Sequence, residues 1–133
     1  MADITAIRNG LRDALGTIDG LRCYAYMPIK PEPPAAGIAV RSGTLDLDTD
    51  GNGKYTFDVW LYAQASDIMV GQSRLDEYIG SGTKSIKAAI DADRSLGGVV
   101  DYARMTGWTE GPRLVDAAGT QLLAMPVTVE VMA

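Results

Sequence analysis

Leu75–Val100, LDEYIGSGTKSIKAAIDADRSLGGVV, reads as the end of one helix, a glycine-flanked break, a second short helix, and a Gly-Gly stop before a strand. Ile68, Gly71, Leu75, Tyr78 and Ile79 recur at helical spacing, which gives the first helix an apolar face. Gly80 and Gly82 permit the sharp break. Thr83 is placed to cap the next helix, where Ile86, Ala89 and Ile90 face inward. Lys87 and Asp91 stand four apart on its outward face as a weak supporting pair. Gly97 and Gly98 end it, because glycine accepts the left-handed conformation at a helix C-terminus. The segment is scaffold, and what surrounds it decides what it supports.

Upstream, Asp3 to about Ile18 forms a helix with Ile4, Ile7, Leu11, Leu15 and Ile18 on one stripe. Arg8, Arg12 and Asp13 lie off the stripe, and Asp3 caps the start. Gly10 and Gly16 each weaken this helix by ~1 kcal/mol, so it leans on tertiary packing. Leu21–Met27 alternates as a strand, with Leu21, Cys23, Ala25 and Met27 on its inner face. A proline-rich connector follows over Ile29–Ala36, and then a short strand, Gly37–Arg41, with Ile38 and Val40 on one side.

Tyr55–Tyr62 is the strongest strand signal. Tyr55, Phe57, Val59 and Leu61 face one way, and Thr56, Asp58, Trp60 and Tyr62 the other. The second face turns aromatic near its end, so a helix or a neighbouring subunit is expected to cover it. Val99–Trp108 and Leu122–Val131 complete the sheet, the latter with Leu123, Met125, Val127, Val129 and Val131 on one face. Pro126 cannot donate to a ladder and is expected at an edge or a bulge. The order helix, strands, two helices, strands predicts an α+β fold: a mostly antiparallel sheet with helices packed on one face, in one domain.

The 133 residues suffice for one domain. Apolar runs are far shorter than the ~20 residues of a membrane helix, so no membrane partner is expected. Cys23 is the only cysteine, which excludes an internal disulfide. The chain has no histidine, so the commonest general base and metal ligand are missing. No nucleophile or carboxylate pair stands out, and neither an enzyme nor a cofactor is expected. A net charge of −5 argues against a surface that grips phosphate backbones.

Asp46-Leu-Asp48-Thr-Asp50-Gly51-Asn52-Gly53 resembles a calcium loop, with alternating carboxylates before a glycine. Counted from Asp46 the twelfth position is Phe57, and from Asp48 it is Val59, so the bidentate glutamate is missing in both registers. A polar hairpin tip with Asn52-Gly53 as the turn pair accounts for the same residues. Gly80–Ser85 lacks the Gly-Lys-Ser/Thr order of a phosphate loop and follows a helix rather than a strand.

The string SGTKSIKAAIDADRSLGGVVDYARMTGW (81–108) resembles the signature segment of tail terminator proteins of long-tailed bacteriophages, especially those of actinobacteria. The likeness extends to the opening ITAIRNGLRDAL helix, the prolines at 28, 31, 33 and 34, YTFDVWLYAQASD, and the closing VTVEVMA. What the resemblance implies is a small α+β virion subunit, assembled in the host cytoplasm. It would form a hexameric ring at the head–tail junction. Its partners would be copies of itself, the major tail tube protein and a head–tail connector, with DNA passing through the lumen without specific binding. A neck or head-completion subunit is the alternative among virion proteins, and a small calcium-binding module the alternative from another class. The polar segment 42–54 is expected to form an extended hairpin arm. With the aromatic strand face, it supplies the candidate assembly interface: Leu45, Asp46, Leu47, Asp48, Trp60 and Tyr62.

Overall fold

Asp3 sets the start of the first helix, its carboxylate accepting from the Ala6 amide at 2.6 Å, in a computed structural model that describes residues 3–45 and 53–133. The helix, α1, spans Ile4–Leu15 and stops at Gly16, so Ile18 lies beyond its end but is still buried. Gly10 has a structural reason. A β-carbon there would stand 3.0 Å from the Leu96 β-carbon, so a buried turn packs directly on the helix backbone. Arg8 lies off the apolar stripe, and its Nη1 donates to the carbonyls of Ala25 and Ile38, at 2.9 and 2.6 Å, tying α1 to the sheet edge.

The fold is α+β. The strands are β1 (Arg22–Tyr24), β2 (Ala35–Leu45), β3 (Gly53–Gln64), β4 (Tyr102–Gly107), β5 (Arg113–Ala117) and β6 (Thr120–Met132). They form one sheet in the order β1-β2-β3-β6-β4, with β5 also paired to β6. Among the described strand pairs, β1–β2 alone is parallel. Helices α1, α2 (Ile68–Ile79) and α3 (Ile86–Asp91) contribute to one core with one face of the sheet. Phe57, Val59 and Leu61 of β3 and Met125, Val127 and Val129 of β6 meet Leu11, Leu75, Tyr78 and Ile90 there, all of them buried. The alternation of Tyr55–Tyr62 and of Leu123–Val131 was read correctly, because one face of each strand is covered by helices.

Several boundaries differ from the sequence expectation. β1 is three residues long, and Met27 is exposed rather than on an inner face. β2 runs well past Arg41, through a bulge between Val40 and Ser42. Ser85, not Thr83, caps α3: its buried Oγ accepts from Ala88 at 3.1 Å and donates to the Gly82 carbonyl at 2.7 Å. The Gly-Gly pair does not end α3, which stops at Asp91. It lies in a later turn where Leu96, Gly97 and Gly98 all have positive φ. Ile68 points outward, and the buried stripe of α2 is Gly71, Leu75 and Tyr78.

Pro126 is at neither edge of the sheet. β6 is a central strand, and Pro126 stands opposite Trp60 in the β3 ladder. On the other side of β6, β5 pairs as far as Ala124 and β4 begins only at Thr128. The residue without an N–H therefore occupies the interval where β6 has no second partner, which removes the usual conflict between proline and a central strand.

Candidate assembly surface

Among the described residues, no helix covers the second face of the sheet. Its polar end is organised by ion pairs between strands. Arg41 grips Asp58 through two contacts, at 2.7 and 3.1 Å, and Glu130 receives Arg104 at 3.1 Å and Lys54 at 3.8 Å. The cations are about half exposed and the carboxylates of Asp58 and Glu130 more covered, so these partly solvated pairs contribute modestly to stability and mainly neutralise one another.

The other end of the face is aromatic. Trp60 and Tyr62 alternate outward from β3, as the sequence predicted, but their cover comes from the same chain rather than from a helix. The β5–β6 hairpin curls beside them, and the Arg113 guanidinium lies 5.2 Å from the centre of the Trp60 ring. Tyr62 packs with Ala35, Leu122 and Ala124 in a second small core and is only 7% exposed. Burial holds its phenol above the usual value. Trp60 is half-buried and remains accessible. Between this hairpin and the proline connector lies a groove of about 330 Å³, lined by Met27, Pro28, Ile29, Trp60, Arg113 and Val115 among others. That volume is at the small end of ligand sites, about 300–1,000 Å³, and suits a few inserted side chains.

The candidate interface residues do not form one site. Leu45 pairs with Gly53 at one end of the β2–β3 ribbon, and Trp60 lies seven residues further along β3, roughly 23 Å away at the rise of an antiparallel strand. Asp46, Leu47 and Asp48 lie outside the described residues, as does most of the calcium-like loop. The base of the extended hairpin arm expected over 42–54 is ordered by strand pairing. Ser42–Leu45 and Gly53–Lys54 are paired strand, and Gly53 exchanges backbone hydrogen bonds with Ala133 at 3.3 and 2.9 Å. Gly43 belongs there because the ring of Tyr55, its cross-strand partner, sits over it; a β-carbon would lie 2.9 Å from that ring.

Sequence reading missed β5, Arg113 and the groove they create. The available signal was Ala118-Gly119 between two short apolar segments. Both residues have positive φ, 52° and 87°, and they link the paired Ala117 and Thr120 as a two-residue hairpin loop. Ala-Gly is a weaker hairpin signature than Asn-Gly. Here Asp116 supports the turn by accepting from the Gly119 amide at 3.0 Å.

Chemically, the described residues offer packing surfaces. No group of three His, Cys, Asp or Glu side chains is placed to hold a metal among them. Cys23 is half-buried, and burial pushes its thiol up to about 11, the opposite of an activated nucleophile. No protein-family model matches the chain, and no curated protein matches its sequence.

Proposed function

We propose that this protein is a tail terminator of a long-tailed bacteriophage, a ring-forming subunit that caps the finished tail tube and joins it to the head. The observation that carries the proposal is the resemblance over Ser81–Trp108. This segment encodes α3, the turn with three consecutive left-handed residues, and β4. An α+β subunit with helices on one sheet face and an open second face is compatible with that role, since a ring subunit must meet a neighbour on two different sides. The action would be geometric: a ring that buries the tube's free end and presents no copy of it stops growth.

Imaging the purified protein mixed with isolated tail tubes tests the proposal. A ring of this subunit at one end of each tube is expected, as is its presence at the tail–head junction of complete particles. Junctions that lack the subunit would overturn the assignment. Replacing residues 46–52 alone with a short Gly-Ser turn is expected to leave the subunit folded, since loop length costs little, while tails lose length control or fail to join heads.

A further inference from the structure

Among the described residues, every arginine but Arg74 is engaged by its own chain. Arg12, Arg22, Arg41, Arg94, Arg104 and Arg113 face carboxylates, and Arg8 reaches two backbone carbonyls. Arg74 meets neither, although acids outnumber bases 17 to 12 in this chain. The nearby acids are committed elsewhere: Glu32 to Arg22, Asp67 to the Val70 amide, and Asp76 and Glu77 to a separate hollow beside Gly80 and Lys84. Arg74 instead lines a pocket of about 150 Å³ with Pro33, Pro34, Ala63 and Gln64. Gly71 sets this arrangement. With no side chain there, α2 rests on the Gln64 carbonyl, and Arg74 follows one turn later on the same side of the helix. The Gln64 side-chain oxygen accepts from the Ser66 hydroxyl at 3.4 Å, which leaves its amide N–H groups for a ligand. Burial raises the Tyr78 phenol and the Arg74 charge acts the other way, so the guanidinium lies near a buried side chain. The rest of the lining is apolar, and its prolines carry no N–H.

We propose that this pocket receives one carboxylate, the side chain of an aspartate or glutamate on a partner protein. Arginine's planar fork meets a carboxylate through two parallel hydrogen bonds, and the Gln64 amide adds a neutral donor. Size sets the class of ligand. The pocket has half the volume of the smallest typical small-molecule sites, about 300 Å³, so it takes one short side chain and no cofactor. Charge narrows it further: Asp76 and Glu77 on the same helix disfavour a dianion such as phosphate over a singly charged carboxylate. The source follows from the surroundings. Val70, one turn before Arg74 on the same side of α2, is 42% exposed and lies outside the core stripe of Gly71, Leu75 and Tyr78. A free carboxylate would leave that apolar shoulder bare, whereas an acidic residue flanked by apolar ones covers it. The site stands on these residues alone and does not depend on the tail-terminator reading.

The test is heteronuclear NMR of the full-length protein, titrated at constant ionic strength with a capped Leu-Glu-Leu peptide and its Leu-Gln-Leu counterpart. The glutamate peptide should shift the Gln64 side-chain amide and the Arg74 Nε–H signals saturably, and the glutamine peptide should not. Arg74→Gln should weaken binding by at least about ten-fold, the loss of one charged hydrogen bond. Lys84→Gln, an equal change of charge at another exposed site, should leave it intact. Gln64→Glu sets a like charge in the pocket at an exposed position, so it should abolish binding with the melting temperature unchanged. Equal shifts from the two peptides, equal weakening by Lys84→Gln, tighter binding of inorganic phosphate, or no saturable shift would each overturn the proposal. Acetate binding as tightly as the glutamate peptide would overturn the partner protein as the source. All of these readouts are separate from ring formation at a tube end, so either reading can fail without the other.

Discussion

Gly71 and Gln64 are in backbone contact: a β-carbon at Gly71 would stand 2.2 Å from the Gln64 carbonyl oxygen and 2.8 Å from Leu123 Cδ1. The helix that supplies Leu75 and Tyr78 to the core therefore docks on the end of β3 with no room for a side chain. Backbone is the least yielding neighbour, so even one methyl group must displace α2.

Gly71→Ala is accordingly expected to destabilise the fold by about 3 kcal/mol, at the upper end of overpacking costs, lowering the melting temperature by roughly 10 °C. Gly82→Ala is the control, since nothing lies within 4 Å of a β-carbon there. It should be neutral or slightly stabilising. Equal melting of the two variants in calorimetry would contradict the docking just described.

Ser85→Ala and Thr83→Ala separate the observed cap of α3 from the one the sequence suggested. Ser85 is fully buried and uses its hydroxyl both as acceptor and as donor. Its loss should cost about 1–2 kcal/mol in urea unfolding. Thr83 is exposed, and its replacement should fall within about 0.5 kcal/mol of wild type.

Tyr62 and Trp60 should behave differently despite sharing a strand face. Tyr62→Ala empties part of the second core and should cost about 3 kcal/mol or more. Trp60→Ala should cost less stability and more association, because its ring is half-buried beside the open groove. Thermal melts read against sedimentation decide this; a larger stability loss for Trp60→Ala would assign it to the core.

Stability should fall in alkali partly through Cys23. An unfolded thiol ionises near about 8.5, whereas burial in the folded chain pushes it up to about 11. Between those values the unfolded chain has released a proton that the folded chain retains, so rising pH favours unfolding. Tyr62 and Tyr78, whose phenols are also raised chiefly by burial, add the same sign at higher pH. Urea midpoints at pH 8 and pH 10 should drop further for wild type than for Cys23→Ala. Parallel drops would show that the thiol is not the cause.

The central strands and all three helices were legible in the sequence because their burial is one-sided, and periodicity records burial. Asp3 as a cap, the inward set of α3, and both faces of Tyr55–Tyr62 follow from that rule. What escaped it was set by contacts without period. Gly10 reads as a weak point of its helix and Gly71 only as one position of an apolar face, yet these two and Gly43 mark close approaches by Leu96, Gln64 and Tyr55. β5 is short and mostly exposed, so it shows no alternation of apolar residues. Of the candidate interface, Trp60 and Tyr62 were found by their outward register, but Arg113 and the proline connector reach them only through the tertiary fold.

The interval at Pro126 divides the labour of the sheet's far side. Because β4 and β5 each hold a different stretch of β6 and neither bonds across the gap, opening one does not require opening the other. The β5 hairpin contributes to the small second core, whereas β4 places Ala103 in the main one. Amide hydrogen exchange should therefore resolve two tiers, with 113–117 exchanging by local opening well before 102–107. A groove wall that detaches independently can change the shape of the groove while the main body stays folded.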